Sequence, residues 1–272
     1  MNNVLITGGA GAIGSHISKK LINEGYNVTI IDNLSSGHEF LVPKEARFVE
    51  GSVLNYEKLA QAFNCKPSHV FHLAAFFANQ NSVDNPEEDL AVNGQGTINV
   101  LKLAVENKVK KLVYTSSSCV YGNKEIMKES DKLPEILDTP YAITKLLGEE
   151  YCKFWTQFHG LNTVILRLFN SYGPGELPGK YRNVIPNFIS TAMKGKSLII
   201  TGSGEETRDF NFVEDTVDGI IKACFSDTKP GDIFNIAGGN ETKINNLVFK
   251  INQITGNKAP IIYKKRRSWD HV

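Results

Sequence analysis

Tyr141 and Lys145 have residue types and a spacing that suit proton transfer. They lie four positions apart in a segment that reads as the start of a helix, with Thr139 at the N-cap position and Pro140 at the first helical position. That spacing places both side chains on one face of the helix. A phenol is a poor base at its ordinary pKa of ~10, but a neighbouring positive charge such as that of Lys145 lowers the pKa. The pattern predicts a tyrosine acting as a general base, and the alternative is an ordinary pair on a helix surface.

Three hydroxyls, those of Ser116, Ser117 and Ser118, follow a predicted strand over residues 112–115. Hydroxyls at such a place can hydrogen-bond a substrate oxygen, or they can simply cap the end of a strand before a turn. The cluster occurs together with the Tyr141–Lys145 pair and with a glycine-rich loop near the N-terminus. That coincidence favours the chemical interpretation.

The glycine-rich loop carries Gly8, Gly11 and Gly14 between a predicted strand over residues 4–6 and a predicted helix over residues 13–24. One glycine makes the tight turn, one leaves room for a pyrophosphate to approach the backbone, and one lets helix and strand pack closely. The start of the helix adds free N–H groups and a partial positive charge. The loop therefore predicts a dinucleotide site, and the alternative is a glycine-rich turn without a ligand.

Asp32 ends the next predicted strand, over residues 28–31. A carboxylate at this place accepts hydrogen bonds from both ribose hydroxyls of NAD and repels the 2′-phosphate of NADP. The sequence therefore predicts NAD as the cofactor. The cationic nicotinamide ring would add a second positive charge beside Tyr141.

Short apolar runs alternate with helical patterns through the first 170 residues. Such alternation predicts parallel strands joined by right-handed crossovers, and the nearly continuous apolar character of the strands indicates burial on both faces. We expect an α/β fold of the Rossmann type, a doubly wound parallel sheet, with ligands beyond the carboxyl ends of the strands. The predicted strands cover residues 4–6, 28–31, 47–49, 70–73, 112–115 and 163–168, and the predicted helices residues 13–24, 56–63, 87–107 and 141–158.

The alternation of apolar runs and helical patterns stops at about residue 170. A segment rich in glycine and proline follows, and it must leave the sheet. Beyond it the pattern predicts helices over residues 184–194 and 215–225 and strands over residues 198–200 and 233–236. We expect an NAD-binding domain of residues 1–170 plus about 211–236, and a smaller discontinuous α/β lobe of about 171–210 plus 237–272.

The 272 residues carry a formal net charge of +1, with 41% hydrophobic and 22% charged residues. This balance does not indicate a nucleic-acid or membrane surface. Met1 runs directly into a strand, no apolar run is long enough to span a bilayer, and the four cysteines lack metal-ligand spacing or disulfide-scaffold density. We expect a cytoplasmic protein without a metal site.

The sequence resembles the extended short-chain dehydrogenase/reductases, and within them the UDP-hexose 4-epimerases. The resemblance covers nearly the whole chain. The motifs that carry it are Thr7-Gly8-x-x-Gly11-x-x-Gly14, Asp32-Asn33-Leu34-Ser35-Ser36-Gly37, Phe71-His72-Leu73-Ala74-Ala75, Asn93-x-x-Gly96-Thr97, Ser116-Ser117-Ser118, Tyr141-x-x-x-Lys145, Arg167-Leu168-Phe169-Asn170, Val184-Ile185-Pro186 and Thr207-Arg208-Asp209-Phe210.

The resemblance implies an NAD-dependent epimerase that oxidises C4 of a UDP-sugar and returns the hydride to the other face, with NAD staying bound. It implies Ser117, Tyr141 and Lys145 as catalytic residues. The implied cofactor contacts are Gly8, Gly11, Ala12, Ile13, Gly14, Asp32, Asn33, Ser36, Gly37, Ser52, Val53, Leu73, Ala74, Ala75, Asn93, Thr115, Tyr141, Lys145 and Phe169. The implied substrate contacts are Ser117, Asn170, Asn183, Val184, Arg208, Arg267 and Asp270.

A homodimer is also implied. The long helices over residues 87–107 and 141–158 carry many apolar residues, including Phe154 and Trp155, which could form a helical interface or pack on the sheet.

Other activities of related enzymes remain as alternatives. Dehydratases and decarboxylases of this kind carry an acid before Val-Tyr-Gly, where this chain has Ser118 and Cys119, which argues against both. Cys119 resembles the cysteine of GDP-fucose synthases, which reduce a 4-ketosugar, but we interpret it as a small buried residue. A catalytically silent NAD-binding protein is a third alternative, against which Ser117, Tyr141 and Lys145 argue.

Three departures from the family pattern stand out. Ser52 replaces an aspartate that usually contacts the adenine amino group, and Phe77 stands near where some epimerases have a lysine. The chain also ends some tens of residues earlier than is usual for the family, so we expect a shortened substrate lobe. His72, at a strand end, is expected to be structural.

Overall fold

A seven-stranded parallel sheet forms the centre of the molecule. The computed structural model describes residues 2–267. The strands are β1 (Asn3–Thr7), β2 (Asn27–Asp32), β3 (Arg47–Glu50), β4 (His69–His72), β5 (Lys111–Ser117), β6 (Thr163–Leu168), β7 (Asn170–Tyr172), β8 (Ile199–Thr201), β9 (Thr207–Phe212), β10 (Asp232–Ile236), β11 (Glu241–Lys243) and β12 (Ile262–Lys264). The central sheet has the order β10-β6-β5-β4-β1-β2-β3, with every pair parallel. This order confirms the Rossmann-type fold, because the chain winds outward in both directions from β1.

Helices cover both faces of the sheet. They are α1 (Ala12–Asn23), α2 (Tyr56–Phe63), α3 (Asn79–Asp84), α4 (Pro86–Asp89), α5 (Gly96–Glu106), α6 (Pro140–His159), α7 (Val184–Met193), α8 (Val213–Phe225) and α9 (Ile244–Thr255). One core packs α2, α5 and α6 against the sheet, and the other packs α1 and α8 against the opposite face. Burial on both faces explains why the strands read as nearly continuous apolar runs.

The register of the sheet brings the carboxyl ends of its middle strands level. Thr7 is paired with Ile31 on one side and His72 on the other, and Ser117 is paired with Leu168. The segments that follow β1, β2, β4, β5 and β6 therefore leave the sheet along one edge, where the sequence places its candidate residues.

A smaller body of structure follows β6. β7, β9 and β11 form a three-stranded sheet, and β8 pairs with β12. α7 and α9 enclose a separate apolar core with β8, built on Phe188, Leu198, Ile200, Val248 and Ile251. The turn-rich segment does leave the central sheet, as the sequence predicted, although β7 was not predicted.

The predicted helix over residues 87–107 is not continuous. α4 runs into a π-helical turn at Leu90–Gln95, and α5 begins at Gly96. Asn93 lies inside this turn, and its carbonyl accepts a hydrogen bond from the Thr97 hydroxyl at 2.6 Å. No helix among residues 2–267 is both long and apolar enough to cross a membrane.

Candidate active site

A cavity of about 660 Å³ opens at the carboxyl ends of the strands. Most of the predicted site residues line it: Gly8, Gly11, Ala12, Ile13, Gly14, Asp32, Asn33, Ser36, Gly37, Ser52, Val53, Leu73, Ala74, Ala75, Thr115, Ser117, Tyr141, Lys145, Phe169, Asn170, Asn183, Val184 and Arg267. Two predicted residues, Asn93 and Arg208, lie outside the lining. Asp270 lies outside the described residues.

The three glycines of the first loop have different surroundings. Gly8 has φ +74°, and a Cβ there would lie 2.7 Å from the Ala74 nitrogen. A Cβ on Gly14 would lie 2.4 Å from the Gly8 carbonyl oxygen, whereas one on Gly11 would meet only that same oxygen, at 3.3 Å. Gly8 thus permits the turn, Gly14 permits close packing of α1, and Gly11 leaves the cavity side open. These surroundings fit the pyrophosphate of a dinucleotide.

The Asp32 carboxylate is fixed at the end of β2. One oxygen accepts a hydrogen bond from the Ala10 N–H at 3.0 Å, and the other accepts one from the Leu34 N–H at 2.8 Å. Burial raises the pKa of this carboxyl, and the two backbone donors oppose the rise. Asp32 lines the cavity and each oxygen can accept a further hydrogen bond, so the carboxylate can accept ribose hydroxyls.

Ser117, Tyr141 and Lys145 converge at the inner end of the cavity. Thr139 caps α6 by accepting a hydrogen bond from the Ala142 N–H at 3.3 Å, which fixes where the helix begins. Lys145 Nζ donates to the Thr115 carbonyl at 2.8 Å and lies 5.7 Å from the centroid of the Tyr141 ring.

The pKa of Tyr141 is shifted in the direction opposite to the sequence prediction. Burial raises the pKa of this phenol, and a hydrogen bond with Ser117 only partly opposes the rise. Burial also lowers the pKa of Lys145 to about 8, against the stabilising charge of Asp89. Burial of the phenol thus acts against the lowering of its pKa that the sequence predicts from Lys145.

A buried ion pair lies beside the end of β5 and contacts Ser116. Glu149 accepts two hydrogen bonds from Arg167, from Nε at 2.9 Å and from Nη2 at 2.8 Å, and a third from Ser116 at 2.5 Å. The side chains of Glu149 and Arg167 are 0% and 2% exposed. The guanidinium also lies 4.7 Å from the centroid of the Tyr121 ring. Glu149 was not predicted, because in the sequence it looks like a surface acid of α6.

The predicted substrate residues differ in what they contact. Asn183 donates to the Glu176 carboxylate at 2.7 Å, and Asn170 donates to the Asp209 carbonyl at 2.8 Å. Arg267 Nη1 donates to Gln80 Oε1 at 3.4 Å, and both residues line the cavity. Arg208 donates instead to the carbonyl of its neighbour Thr207, at 2.6 Å.

The surroundings of Cys119, Phe77 and His72 bear on the roles expected for them from the sequence. Cys119 is half-buried and lines the cavity, with the Asn79 amide 3.6 Å from its sulfur, so the interpretation as a merely buried residue is incomplete. Phe77 packs edge-on against Tyr141, with 5.9 Å between the ring centroids. His72 is enclosed between the hydroxyls of Thr7 and Thr97, as a structural residue would be.

Residues 173–183, here called the crossing segment, span the cavity from α1 to α3. The Pro174 carbonyl lies 3.1 Å from the His16 ring, Arg182 donates to the Ser36 carbonyl, and the Tyr181 hydroxyl donates to Asp84 at 2.9 Å. The segment lines the cavity with Glu176, Lys180 and Asn183. Of these residues only Asn183 was predicted, because glycine- and proline-rich runs do not show where their side chains point.

The sheet order, the glycine loop and the Tyr141–Lys145 pair together define a dinucleotide-binding protein of the short-chain dehydrogenase/reductase type. The model of the NAD dependent epimerase/dehydratase family matches residues 4–237. The chain belongs to this family.

Solved structures support the assignment. The structure of epimerase Mth375 from Methanothermobacter thermautotrophicus has a TM-score of 0.96 at 47% identity, covering 99% of this chain and 81% of that one. The crystal structure of a Thermotoga maritima UDP-glucose 4-epimerase with UDP-glucose has a TM-score of 0.93 at 34% identity, covering 98% and 87%.

Relatives of similar identity carry two activities in their names. The UDP-glucose 4-epimerase of Mycolicibacterium smegmatis is 33% identical, covering 89% of this chain and 79% of that protein. The UDP-N-acetyl-alpha-D-glucosaminuronate decarboxylase of Bacillus cytotoxicus is 35% identical, covering 95% and 82%. Identity alone therefore does not separate an epimerase from a decarboxylase.

Proposed function

We propose that this chain is an NAD-dependent nucleotide-sugar epimerase, acting on C4 of a UDP-hexose. The observation that carries the proposal is the convergence of Ser117, Tyr141 and Lys145 in the cavity that also holds the glycine loop and Asp32. A protein that only bound NAD would need the loop and the carboxylate but not the other three side chains.

The cofactor, when bound, supplies the hydride acceptor and donor. In the proposed reaction Tyr141 takes the proton from the sugar 4-hydroxyl and later returns it, while Ser117 hydrogen-bonds the same oxygen. The positive charge of Lys145, fixed by the Thr115 carbonyl, stabilises the phenolate. Burial raises the pKa of Tyr141, and positive charge beside the ring opposes that rise.

The substrate side of the cavity supports a nucleotide diphosphate. Arg267 offers a guanidinium whose fork matches phosphate oxygens, and Asn170 and Asn183 offer amide groups. We assign residues 1–170 and about 211–236 to cofactor binding and the remaining segments to the sugar nucleotide. Arg208 and Asp270 remain candidates for this role.

Two alternatives have different support. The family resemblance implies an acid before Val-Tyr-Gly in decarboxylases, and this chain has Ser118 and Cys119 there instead. A reductase of the GDP-fucose synthase type is supported by Cys119, which lines the cavity, but Asp32 opposes the NADP that such an enzyme would consume.

Product analysis tests the proposal. The protein is incubated with UDP-glucose, UDP-N-acetylglucosamine and their galacto epimers, and the sugars are separated by chromatography. We expect interconversion of at least one pair without net consumption of NAD. Stoichiometric consumption of added NADH or NADPH would instead identify a reductase, and no reaction with NAD bound would identify a silent binder.

Substitution of the proposed base gives a second test. Tyr141→Phe is expected to lower kcat by at least about 10³-fold while NAD stays bound, because it removes the group that takes the proton. Tyr121→Phe is the matched control, since its buried hydroxyl donates to Asn235 at 2.8 Å and does not line the cavity. Unchanged activity in Tyr141→Phe would remove Tyr141 from the mechanism.

A homodimer is part of the proposal. Ile143, Phe154 and Phe158 form an exposed stripe along α6, with Phe154 45% and Phe158 64% exposed. Leu90 adjoins this stripe, because Leu90 and Leu147 flank Gly94. Light scattering should give twice the chain mass, and Phe158→Glu should give a monomer, whereas Phe249→Glu on α9 should not.

A cytoplasmic location also remains a prediction, supported by the four free cysteines.

A further inference from the structure

Asp89, at the end of α4, is a buried carboxylate that the proposed reaction does not explain. Its side chain has no solvent exposure and does not line the cavity. No cation of the described residues lies within ion-pair distance of it. Burying a charge without a partner cation is costly, so neutral donors must compensate for it.

Those donors tie Asp89 to the turn that carries the proposed catalytic pair. One carboxylate oxygen accepts a hydrogen bond from the Thr144 hydroxyl at 2.7 Å. Thr144 lies between Tyr141 and Lys145 in the first turns of α6. This hydrogen bond therefore helps to fix the rotation of α6 about its axis, and with it the direction in which both side chains face.

The other carboxylate oxygen connects to the loop after β4. It accepts from the Asn93 amide at 2.8 Å, and Asn93 in turn accepts from the Phe76 N–H at 2.8 Å. The residue after Phe76 is Phe77, whose ring packs edge-on against Tyr141. Asp89 thus joins three segments around the phenol: the loop after β4, the π-helical turn and α6.

Asp89 also acts on the charge of Lys145. The titratable groups that face Lys145 are Asp89 on α4, Glu149, Cys152 and Tyr141 on α6, Cys119 after β5, Tyr114 on β5 and His72 on β4. Burial lowers the pKa of Lys145, and Asp89 is the largest influence in the opposite direction. Without this carboxylate, the pKa of Lys145 falls below its value of about 8.

We propose that Asp89 is a positioning residue for the epimerase reaction: through Thr144 and Asn93 it orients Tyr141 and Lys145 toward the cavity, and its charge keeps Lys145 protonated. This inference rests on the proposed function, but its contacts and its effect on Lys145 exist without a substrate. Asn93, predicted from the resemblance to help hold this region, is one of the two donors through which Asp89 acts.

Two substitutions separate the contact from the charge. Asp89→Asn keeps the shape of the side chain and removes the charge, whereas Thr144→Val removes the hydrogen bond and leaves the charge in place. We expect Asp89→Asn to lower kcat by about 10–100-fold, with KM for the UDP-sugar and the bound NAD unchanged within about twofold. The high-pH limb of the kcat profile should move to lower pH by about one pH unit, because the negative charge that stabilises the protonated form of Lys145 is removed.

Thr144→Val should lower kcat without moving that limb. Thr163→Val removes another buried hydroxyl, on β6, and is the control for a merely structural loss. It should leave both kcat and the profile unchanged. Asp89→Asn with wild-type kcat and an unmoved limb would overturn the proposal.

A measurement without substrate keeps the proposal separate from the proposed function. The Nζ resonance of Lys145 can be followed by ¹⁵N NMR through a pH titration of wild-type protein and Asp89→Asn. We expect the pKa of Lys145 to fall in the variant, whether or not any UDP-sugar is turned over. An identical pKa would overturn the role of Asp89, whereas failure of wild-type turnover with a shifted pKa would overturn only the epimerase assignment.

Discussion

Removal of the Glu149 charge should destabilise this protein more than any surface substitution. Glu149→Gln keeps the size of the side chain but leaves the Arg167 guanidinium as an uncompensated buried charge. Three hydrogen bonds to the carboxylate change at once, two from Arg167 and one from Ser116. Among the described residues, Nη1 of Arg167 is already a buried donor without a hydrogen-bond acceptor, so no spare partner exists for the guanidinium.

The expected magnitude follows from the burial of both side chains. Breaking one side of a buried ion pair costs about 3–5 kcal/mol. With a urea dependence of about 3 kcal/mol per molar, a loss of about 4 kcal/mol lowers the urea midpoint by roughly 1.3 M. That is a large part of the ~5–15 kcal/mol by which a protein is usually stable.

Urea unfolding followed by circular dichroism measures the effect. Asp218→Asn is the matched control, because it breaks the Lys20–Asp218 pair, whose side chains are 40% and 62% exposed. An exposed pair contributes about 1 kcal/mol or less, so the control should move the midpoint by less than about 0.3 M.

The double variant Glu149→Leu with Arg167→Met makes the test specific. It removes both charges, so it should be more stable than Glu149→Gln even though it loses more hydrogen bonds. The role of the ion pair is refuted if Glu149→Gln lowers the free energy of unfolding no more than Asp218→Asn does. It is also refuted if the double variant is less stable than Glu149→Gln.

Two further predictions follow from the glycine loop and the buried histidine. Gly14→Ala should lower the free energy of unfolding, measured by urea titration, by about 1–3 kcal/mol, because its Cβ would lie 2.4 Å from the Gly8 carbonyl oxygen. Gly11→Ala should change the free energy of unfolding by less than about 0.5 kcal/mol and weaken NAD binding. A Gly14→Ala protein as stable as Gly11→Ala would contradict this assignment of the glycines. Burial lowers the pKa of His72 to about 3, so its ring resonances should not titrate between about pH 8 and pH 5. The unfolded chain binds that proton more readily. The stability contributed by a neutral His72 is therefore present above about pH 6.5 and is lost as the pH falls toward about 3. A His72 resonance that titrates near pH 6.5 would contradict this prediction.

Features of the fold that depend on nearby residues could be predicted from the sequence. The strands of the central sheet are short apolar runs buried on both faces, and β1, β3, β4 and β5 are each followed by a recognisable helical pattern. The glycine loop, Asp32 and the Tyr141–Lys145 pair were found because their spacing is local and their residue types are demanding. Their meeting in one cavity then follows from the rule that parallel strands present their carboxyl ends at one edge.

Features that depend on distant neighbours could not be predicted. Glu149 and Asp89 look like ordinary helix acids, and only Arg167 on β6 and Thr144 on α6 reveal that they are buried. β7, β11 and β12 have three residues each, too few for any periodicity, and the six-residue β9 was not predicted either. The pKa of Tyr141 also depends on how completely the fold buries the phenol, which its spacing from Lys145 does not reveal.

The crossing segment has a kinetic consequence for the whole cycle. It is tied to α1, to the loop after β2 and to α3 at once, and it passes beside the glycine loop, with a Cβ on Gly175 only 3.5 Å from the Ala12 Cα. We expect these contacts to slow the release of a dinucleotide that lies on that loop, so that its residence time exceeds many turnovers. The protein should then purify with its dinucleotide bound. Its turnover should not depend on the NAD⁺/NADH ratio of the surrounding solution.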